Sequence, residues 1–182
     1  LQNVQAEKVN VKLANAYKWN KNYQESISLY NKIDKNKLSN YELVDLYESL
    51  GDVYFLTKDF ELARKAYNEG LQIAQKHLIT PKITDLNSKL GDVFYVAGEK
   101  QEAQLQFNKS LDLASKENKK RAVEEKIKVA DFQNKQNNYS DEIQLRKEAL
   151  IDLDDIAKDS IFDNSSALTK QKQNYQSGSA YA

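Results

Sequence analysis

Apolar, small and polar residues follow the same order twice in the middle of the chain. LGDVYF, at Leu50–Phe55, returns forty residues later as LGDVFY, at Leu90–Tyr95. The segments that follow, Asp59–Lys76 and Glu99–Lys116, also place alanine and aromatic residues at this offset. A fixed period of this length is typical of repeat proteins. The pattern predicts two copies of one helical hairpin.

Two weaker copies flank the central pair. The first spans Val11–Ile33 and places small and aromatic residues where the central copies have them, at Ala14, Tyr17, Ser26 and Tyr30. The last spans Ile127–Leu150 and has polar residues in three of those places, at Gln133, Glu142 and Arg146. The small residues expected to pack at helix crossings are Ala14, Gly51, Ala63, Gly91, Ala103, Ala130 and Ala149.

Two of these small residues are glycines inside predicted helices. Glycine costs a helix about 1 kcal/mol relative to alanine. Gly51 and Gly91 therefore need a packing reason. A missing side chain lets a partner helix approach closely, so both positions predict close helix crossings.

Helix ends agree with this arrangement. Ser39 and Glu42 have the spacing of a capping box. Thr80 is expected to cap a helix before Pro81, and Gly98 to end one. Turns of the flanking copies are expected at 20–22 and 137–138. We predict eight helices in antiparallel pairs, then a polar connector near Asp159–Ser166 and a ninth helix.

The repeated unit resembles the tetratricopeptide repeat, a helix–turn–helix unit with small residues at two crossings and aromatic residues beside them. The small residues that open successive units are 37, 40 and 39 residues apart, at Ala14, Gly51, Gly91 and Ala130. These intervals exceed the 34 residues usual in the family. The resemblance implies an all-α, right-handed superhelical solenoid of about nine helices.

The expected array occupies residues 1–182 as one domain. Its repeats are placed at about 7–38, 40–79, 81–118 and 119–158, with a partial fifth at 166–182. Gly178 and Tyr181 stand where Gly51 and Tyr54 stand in the second copy. Because the motif stops there, the sequence is expected to be a fragment of a longer protein.

Composition excludes several classes of function. Lys+Arg and Asp+Glu are both 27, so the chain has no net charge that would attract it to nucleic acid or to an anionic membrane. There is no cysteine and one histidine, His77, which argues against a metal or cofactor site of the usual kinds. No catalytic motif occurs, and no apolar run reaches membrane-spanning length. We therefore expect neither an enzyme nor a membrane-inserted segment.

The resemblance also implies a binding groove along the first helices of the repeats. The groove residues carried over are Asn15, Lys18, Trp19, Asp45, Glu48, Asp52, Phe55, Asp85, Asp92, Tyr95, Glu124, Asp131 and Asn134. Asp52, Asp92 and Asp131 recur at one place in mid-helix, where aspartate is a poor helix former. We expect a protein or peptide partner with basic and apolar side chains. Some members of the family bind an acidic C-terminal tail through lysine, asparagine and arginine side chains of the groove. Asp52 and Asp92 stand where such a groove needs an amide, which argues against that kind of partner.

The wider role stays open among three alternatives. The long repeats are similar in style to the N-terminal arrays of bacterial two-component sensor histidine kinases, which favours an extracytoplasmic interaction region. A free-standing adaptor or lipoprotein of an envelope assembly is the second alternative. A cytoplasmic regulator that responds to a peptide is the third. The ends of the array are candidates for self-association.

Overall fold

The computed structural model describes the backbone of residues 2–178 and the side chains of residues 5–160. Within this range the chain forms eight α-helices, a short 3-10 turn at Lys35–Lys37 and no strand. The predicted all-α fold of paired helices is confirmed for this range. The helices are α1 (Gln2–Trp19), α2 (Tyr23–Lys32), α3 (Asn40–Leu56), α4 (Phe60–Lys76), α5 (Thr80–Val96), α6 (Lys100–Glu117), α7 (Lys119–Lys135) and α8 (Tyr139–Gly178).

The chain divides into two compact units, Leu1–Leu113 and Ala114–Ala182. In the first unit, α3 packs on the hairpin of α1 and α2 through a cluster that includes Ala14, Tyr30, Leu46 and Leu50. α5 packs on α4 through a second cluster that includes Val44, Ala63, Tyr67, Leu86 and Leu90. In the second unit, α7 and α8 form a hairpin that buries Val129, Ala130, Phe132 and Ala149.

The capping box is present at the start of α3. The backbone N–H of Glu42 donates to Ser39 Oγ at 3.3 Å, and the backbone N–H of Ser39 donates to Glu42 Oε2 at 2.9 Å. A hydrogen bond from Lys8 is the largest cause that lowers the pKa of Glu42 to about 2, followed by the bonds from Ser39. The box therefore holds a charged carboxylate at the helix N-terminus, where the helix dipole favours it.

The turns between paired helices use left-handed backbone conformations. Gly98 has φ +82° and ends α5, in agreement with the sequence. In the flanking copies Lys21 and Asn137 take the same role, with φ of 62° and 61°. The cap predicted at Thr80 is wrong by one residue: Ile79 is the N-cap, and Pro81 follows within the first turn.

The predicted connector near Asp159–Ser166 and the separate ninth helix are wrong. α8 continues as one helix of 40 residues, Tyr139–Gly178. No proline or glycine lies between Tyr139 and Ser177, so nothing in this stretch forces the helix to end. Tyr181 lies outside the described residues, and the partial fifth unit stays a prediction. None of the helices, over the residues described, is long and apolar enough to span a bilayer.

Candidate functional site

A glycine followed by an aspartate recurs at Gly51–Asp52 and Gly91–Asp92, and in the second repeat both residues contact the partner helix of the same hairpin. Gly51 lies against the ring of Tyr67 on α4, and the Tyr67 hydroxyl donates to Asp52 Oδ1 at 2.9 Å. The first repeat has the same arrangement, because the Tyr30 hydroxyl donates to Asn15 Oδ1 at 2.7 Å. In both repeats the hydroxyl lies fifteen residues after its acceptor. Aspartate or asparagine in mid-helix thus accepts a bond that closes the hairpin.

The other two repeats vary this contact. Gly91 lies against Phe107, and an added Cβ would come within 2.7 Å of the ring. Phe107 has no hydroxyl to offer the neighbouring Asp92. In the last repeat Arg146 stands in the aromatic position and donates to Asp131 Oδ1 at 2.8 Å. Arginine at this position therefore provides a hydrogen bond to the aspartate but no aromatic ring.

Lysines of neighbouring repeats neutralise the acidic residues of α3. Asp52 accepts hydrogen bonds from Lys18 of α1 at 3.2 Å and from Lys89 of α5 at 2.6 Å. Lys82 of α5 donates to Glu48 at 2.8 Å and forms an ion pair with Asp45. Along α3, the acidic residues from which we expected a basic partner are therefore already neutralised. The carboxylates are bound to lysines of the same chain.

Burial and these contacts shift several pKa values upward. Burial is the largest cause that raises the pKa of Tyr67, followed by the charge of Asp52. Burial also raises the pKa of Tyr30 to about 12. Burial alone would lower the pKa of Lys89 and of Lys82, but their carboxylate partners outweigh it and raise both. All four groups hold their protons more tightly when the protein is folded.

We expect the free energy of unfolding to fall as pH rises above about 10. A group whose pKa is raised by folding contributes stability that is fully present at pH values below its unfolded pKa, which is about 10 for tyrosine and lysine. This stability is lost as the pH rises through the pKa of the group in the folded protein. Urea denaturation at a series of pH values checks this. Tyr67→Phe, which imitates Phe107, should show a smaller alkaline loss than the unaltered protein. An equal loss would contradict the role assigned to Tyr67.

A concave pocket of about 410 Å³ lies beside this network, within the first unit. The first helices α1, α3 and α5 supply most of its wall. Trp19 projects at its edge and is 78% exposed, and Phe55 and Leu56 add apolar surface. Three lysines and two aspartates complete it, a net charge of +1. The lining residues are Lys18, Trp19, Lys21, Tyr23, Asp52, Phe55, Leu56, Tyr67, Lys89 and Asp92.

The structure brings together five of the predicted groove residues in this pocket, namely Lys18, Trp19, Asp52, Phe55 and Asp92. Asn15, Asp45 and Glu48 are engaged by Tyr30 and Lys82 instead. Asp85 and Tyr95 are partly buried on α5 and do not line the pocket. In the second unit, Glu124, Asp131 and Asn134 are exposed. The seven small residues predicted to pack are all buried.

The other five residues that line the pocket are not among the predicted groove residues, namely Lys21, Tyr23, Leu56, Tyr67 and Lys89. A signal for Lys89 was present in the spacing of opposite charges. The lysines that donate hydrogen bonds to Asp52 and Glu48 of α3 lie 34 or 37 residues from their acceptors. That separation is close to one repeat, so the two members of a pair lie on neighbouring first helices.

Replacement of Asp52 by Asn should lower the free energy of unfolding by about 1–3 kcal/mol, because Lys18 and Lys89 lose their carboxylate. Asp154→Asn is the control, since the ion pair that Asp154 forms with Lys158 on α8 is exposed. We expect a change within about 0.5 kcal/mol for that variant. Chemical denaturation of both variants measures the difference. Equal losses would show that the lysine network does not stabilise the fold.

Repeated helical hairpins that cross at small residues, with first helices lining a pocket, define a helical-repeat protein. Residues 44–77 match the tetratricopeptide repeat. The chain thus has a tetratricopeptide-repeat fold, and its second hairpin is a tetratricopeptide repeat by sequence. No curated protein matches the chain in sequence. No group of three metal-ligating side chains lies within the described part of the structure.

Solved structures share this fold at low sequence identity. MamA is 17% identical, with a TM-score of 0.63 over 84% of this chain and 81% of that chain. Aspartyl phosphate phosphatase F from Bacillus subtilis is 14% identical, with a TM-score of 0.75 over 86% of this chain and 42% of its own. The Rap conjugation gene regulator of plasmid pLS20, in complex with a Phr peptide, is 15% identical, with a TM-score of 0.65. That match covers 78% of this chain and 40% of the regulator.

Proposed function

We propose that the chain is a binding module for a protein or peptide, and that the pocket between α1, α3 and α5 is its binding site. The observation that carries this proposal is the exposed indole of Trp19 at the edge of a concave surface that includes three further aromatic residues. Tryptophan and other aromatic side chains dominate the energy of many protein interfaces. The module acts by binding, without catalysis.

The partner should present a bulky apolar side chain toward Trp19, Phe55 and Leu56. The charged residues of the pocket have both signs, because Lys21 and Asp92 accompany the Asp52 network. The sequence alone led us to expect a partner with basic and apolar side chains; from the pocket we propose apolar anchors together with charges of both signs. Charged contacts at an exposed rim should add orientation and association rate more than affinity.

The solved structures support a peptide as one form of the partner, since the plasmid pLS20 regulator contains a bound peptide. For the wider context we propose an interaction region within a larger bacterial protein, such as a two-component sensor histidine kinase. The adaptor or lipoprotein and the cytoplasmic peptide-responsive regulator are the alternatives. The neighbouring coding sequence distinguishes these alternatives. Kinase motifs would identify the sensor kinase, a lipobox the lipoprotein, and a DNA-binding motif the peptide-responsive regulator.

Selection from a phage-displayed library of random peptides tests the proposed site. The unaltered chain should enrich peptides with a recurring bulky apolar residue. A pocket variant, Trp19→Ser with Leu56→Ser, should lose these peptides. Leu105→Ser is the matched control, because Leu105 is exposed on α6 and lines no part of the pocket. Enrichment that survives in the pocket variant would place binding elsewhere and overturn the proposal.

A further inference from the structure

The front of the first hairpin exposes an apolar face. Val9 and Leu13 lie one helical turn apart on α1 and are 57% and 45% exposed. Tyr17 lies one turn further along the same side of the helix and is half-buried. Leu13 and Tyr17 also line a shallow cleft with Leu29 of α2. Together Val9, Leu13 and Tyr17 form what we call the front face.

The same positions are buried in the next two repeats. Leu46 and Leu50 of α3 correspond to Val9 and Leu13, and both are buried in the cluster that α3 shares with α2. Leu86 and Leu90 of α5 correspond in turn and are buried in the cluster that α5 shares with α4. Within this chain, the surface is therefore the one by which a repeat packs on the second helix of the repeat before it.

The last hairpin exposes the complementary surface, which we call the back face. It comprises Ile143, Leu150 and Leu153 of α8, and Leu150 is 65% exposed. Their counterparts on α4 are Arg64, Leu71 and Ala74. Leu71 and Ala74 pack in the cluster with α5, and Arg64 lies 5.8 Å from the ring centroid of Phe94 on α5. From Leu153 to Gly178 the chain continues α8 as one helix.

We propose that the front face binds the back face of a second copy of this chain. The two exposed surfaces have the chemistry and helix positions of surfaces that pack against each other between repeats of the first unit. A second helix that offers leucine and isoleucine is what buries the front face of α3 and of α5. α8 presents isoleucine and leucine at the positions that Arg64, Leu71 and Ala74 occupy on α4. The association is therefore head to tail and continues the repeat packing from one molecule to the next.

A head-to-tail contact uses different surfaces on the two partners, and unless it closes into a ring it adds further copies. A dimer formed in this way still has a free back face on one molecule and a free front face on the other. The average mass should therefore rise with concentration beyond that of a dimer. A contact between two front faces would stop at the dimer.

Sedimentation velocity over a concentration series tests the proposal with the chain as it exists. The unaltered chain should grow above its monomer mass of 20.9 kDa as concentration rises. Leu13→Glu and Leu150→Glu each place a charge in one face, and each alone should raise the concentration needed for association by at least about tenfold. An equimolar mixture of the two variants should recover a dimer and nothing larger, because it retains one intact front face and one intact back face.

Leu105→Glu is the matched control, since Leu105 is 52% exposed but belongs to neither end hairpin. It should associate as the unaltered chain does, and circular dichroism should show equal helix content in all variants. Three results would overturn the proposal. They are a monomer at every concentration, equal loss in Leu105→Glu, and a mixture of the end variants that stays monomeric.

Discussion

Replacement of Gly51 by leucine should lower the free energy of unfolding by about 1–3 kcal/mol, because the site has no room for a side chain. An added Cβ would already lie within 3 Å of the Tyr67 ring, a distance that real Cβ atoms do not show. The shift in melting temperature should be about 2–4 °C for each kcal/mol in a chain of this size. Gly91→Leu, which faces Phe107, should behave in the same way.

A double-mutant cycle separates the collision from other effects of the glycine. Gly51→Ala alone adds one methyl group that meets the ring, and it should destabilise the protein or leave it unchanged. In a Tyr67→Ala background the ring is absent, and alanine is the better helix former by about 1 kcal/mol. Gly51→Ala should therefore become stabilising in that background. Unchanged melting temperatures in the leucine variants would show that the crossing is not closely packed.

Trp19→Ala should cost at least about 2 kcal/mol of binding free energy for a peptide selected on the unaltered chain, roughly a thirtyfold weaker Kd. The indole offers the largest exposed aromatic surface in the pocket, and its loss removes a large contact area while leaving the fold unaffected. Isothermal titration calorimetry measures the change. Trp19→Tyr should retain part of the affinity, because it keeps an aromatic ring.

Leu105→Ala should leave the Kd unchanged within error, since Leu105 lies outside the pocket. Asp92→Asn, at the rim, should change the Kd by less than threefold, since exposed ion pairs contribute about 0–1 kcal/mol. A loss in Leu105→Ala as large as in Trp19→Ala would indicate that the apolar surface in general, and not the pocket, binds the peptide.

The hairpins could be predicted from the sequence because their contacts recur at a fixed interval. Particular residue types mark these contacts in the sequence. They are glycine at the helix crossings of Gly51 and Gly91, serine at the capping box of Ser39, and glycine at the turn of Gly98. The continuation of α8 past Asp159 could not be predicted in this way. Polar residues such as serine and aspartate suggest a loop, but they weaken a helix only slightly when no proline or glycine ends it.

The site could be predicted only in part. The family positions indicated Lys18, Trp19 and Asp52, and the structure places all three in one pocket. The charge of the pocket was misjudged, since Lys89 was not among those positions. A surface charge depends on which side chains meet across neighbouring helices, and Asp52 meets both Lys18 and Lys89. Repeat positions alone do not contain that information.

The intrinsic fluorescence of Trp19 tests the central claim most directly, because Trp19 is the only tryptophan of the chain and stands at the edge of the proposed site. Titration with a selected peptide that lacks tryptophan should shift the emission to shorter wavelengths, with a midpoint equal to the calorimetric Kd. A chain with Trp19→Phe and Leu105→Trp should bind that peptide without a shift. Binding to the unaltered chain that leaves the Trp19 emission unchanged would contradict the pocket between α1, α3 and α5 as the binding site.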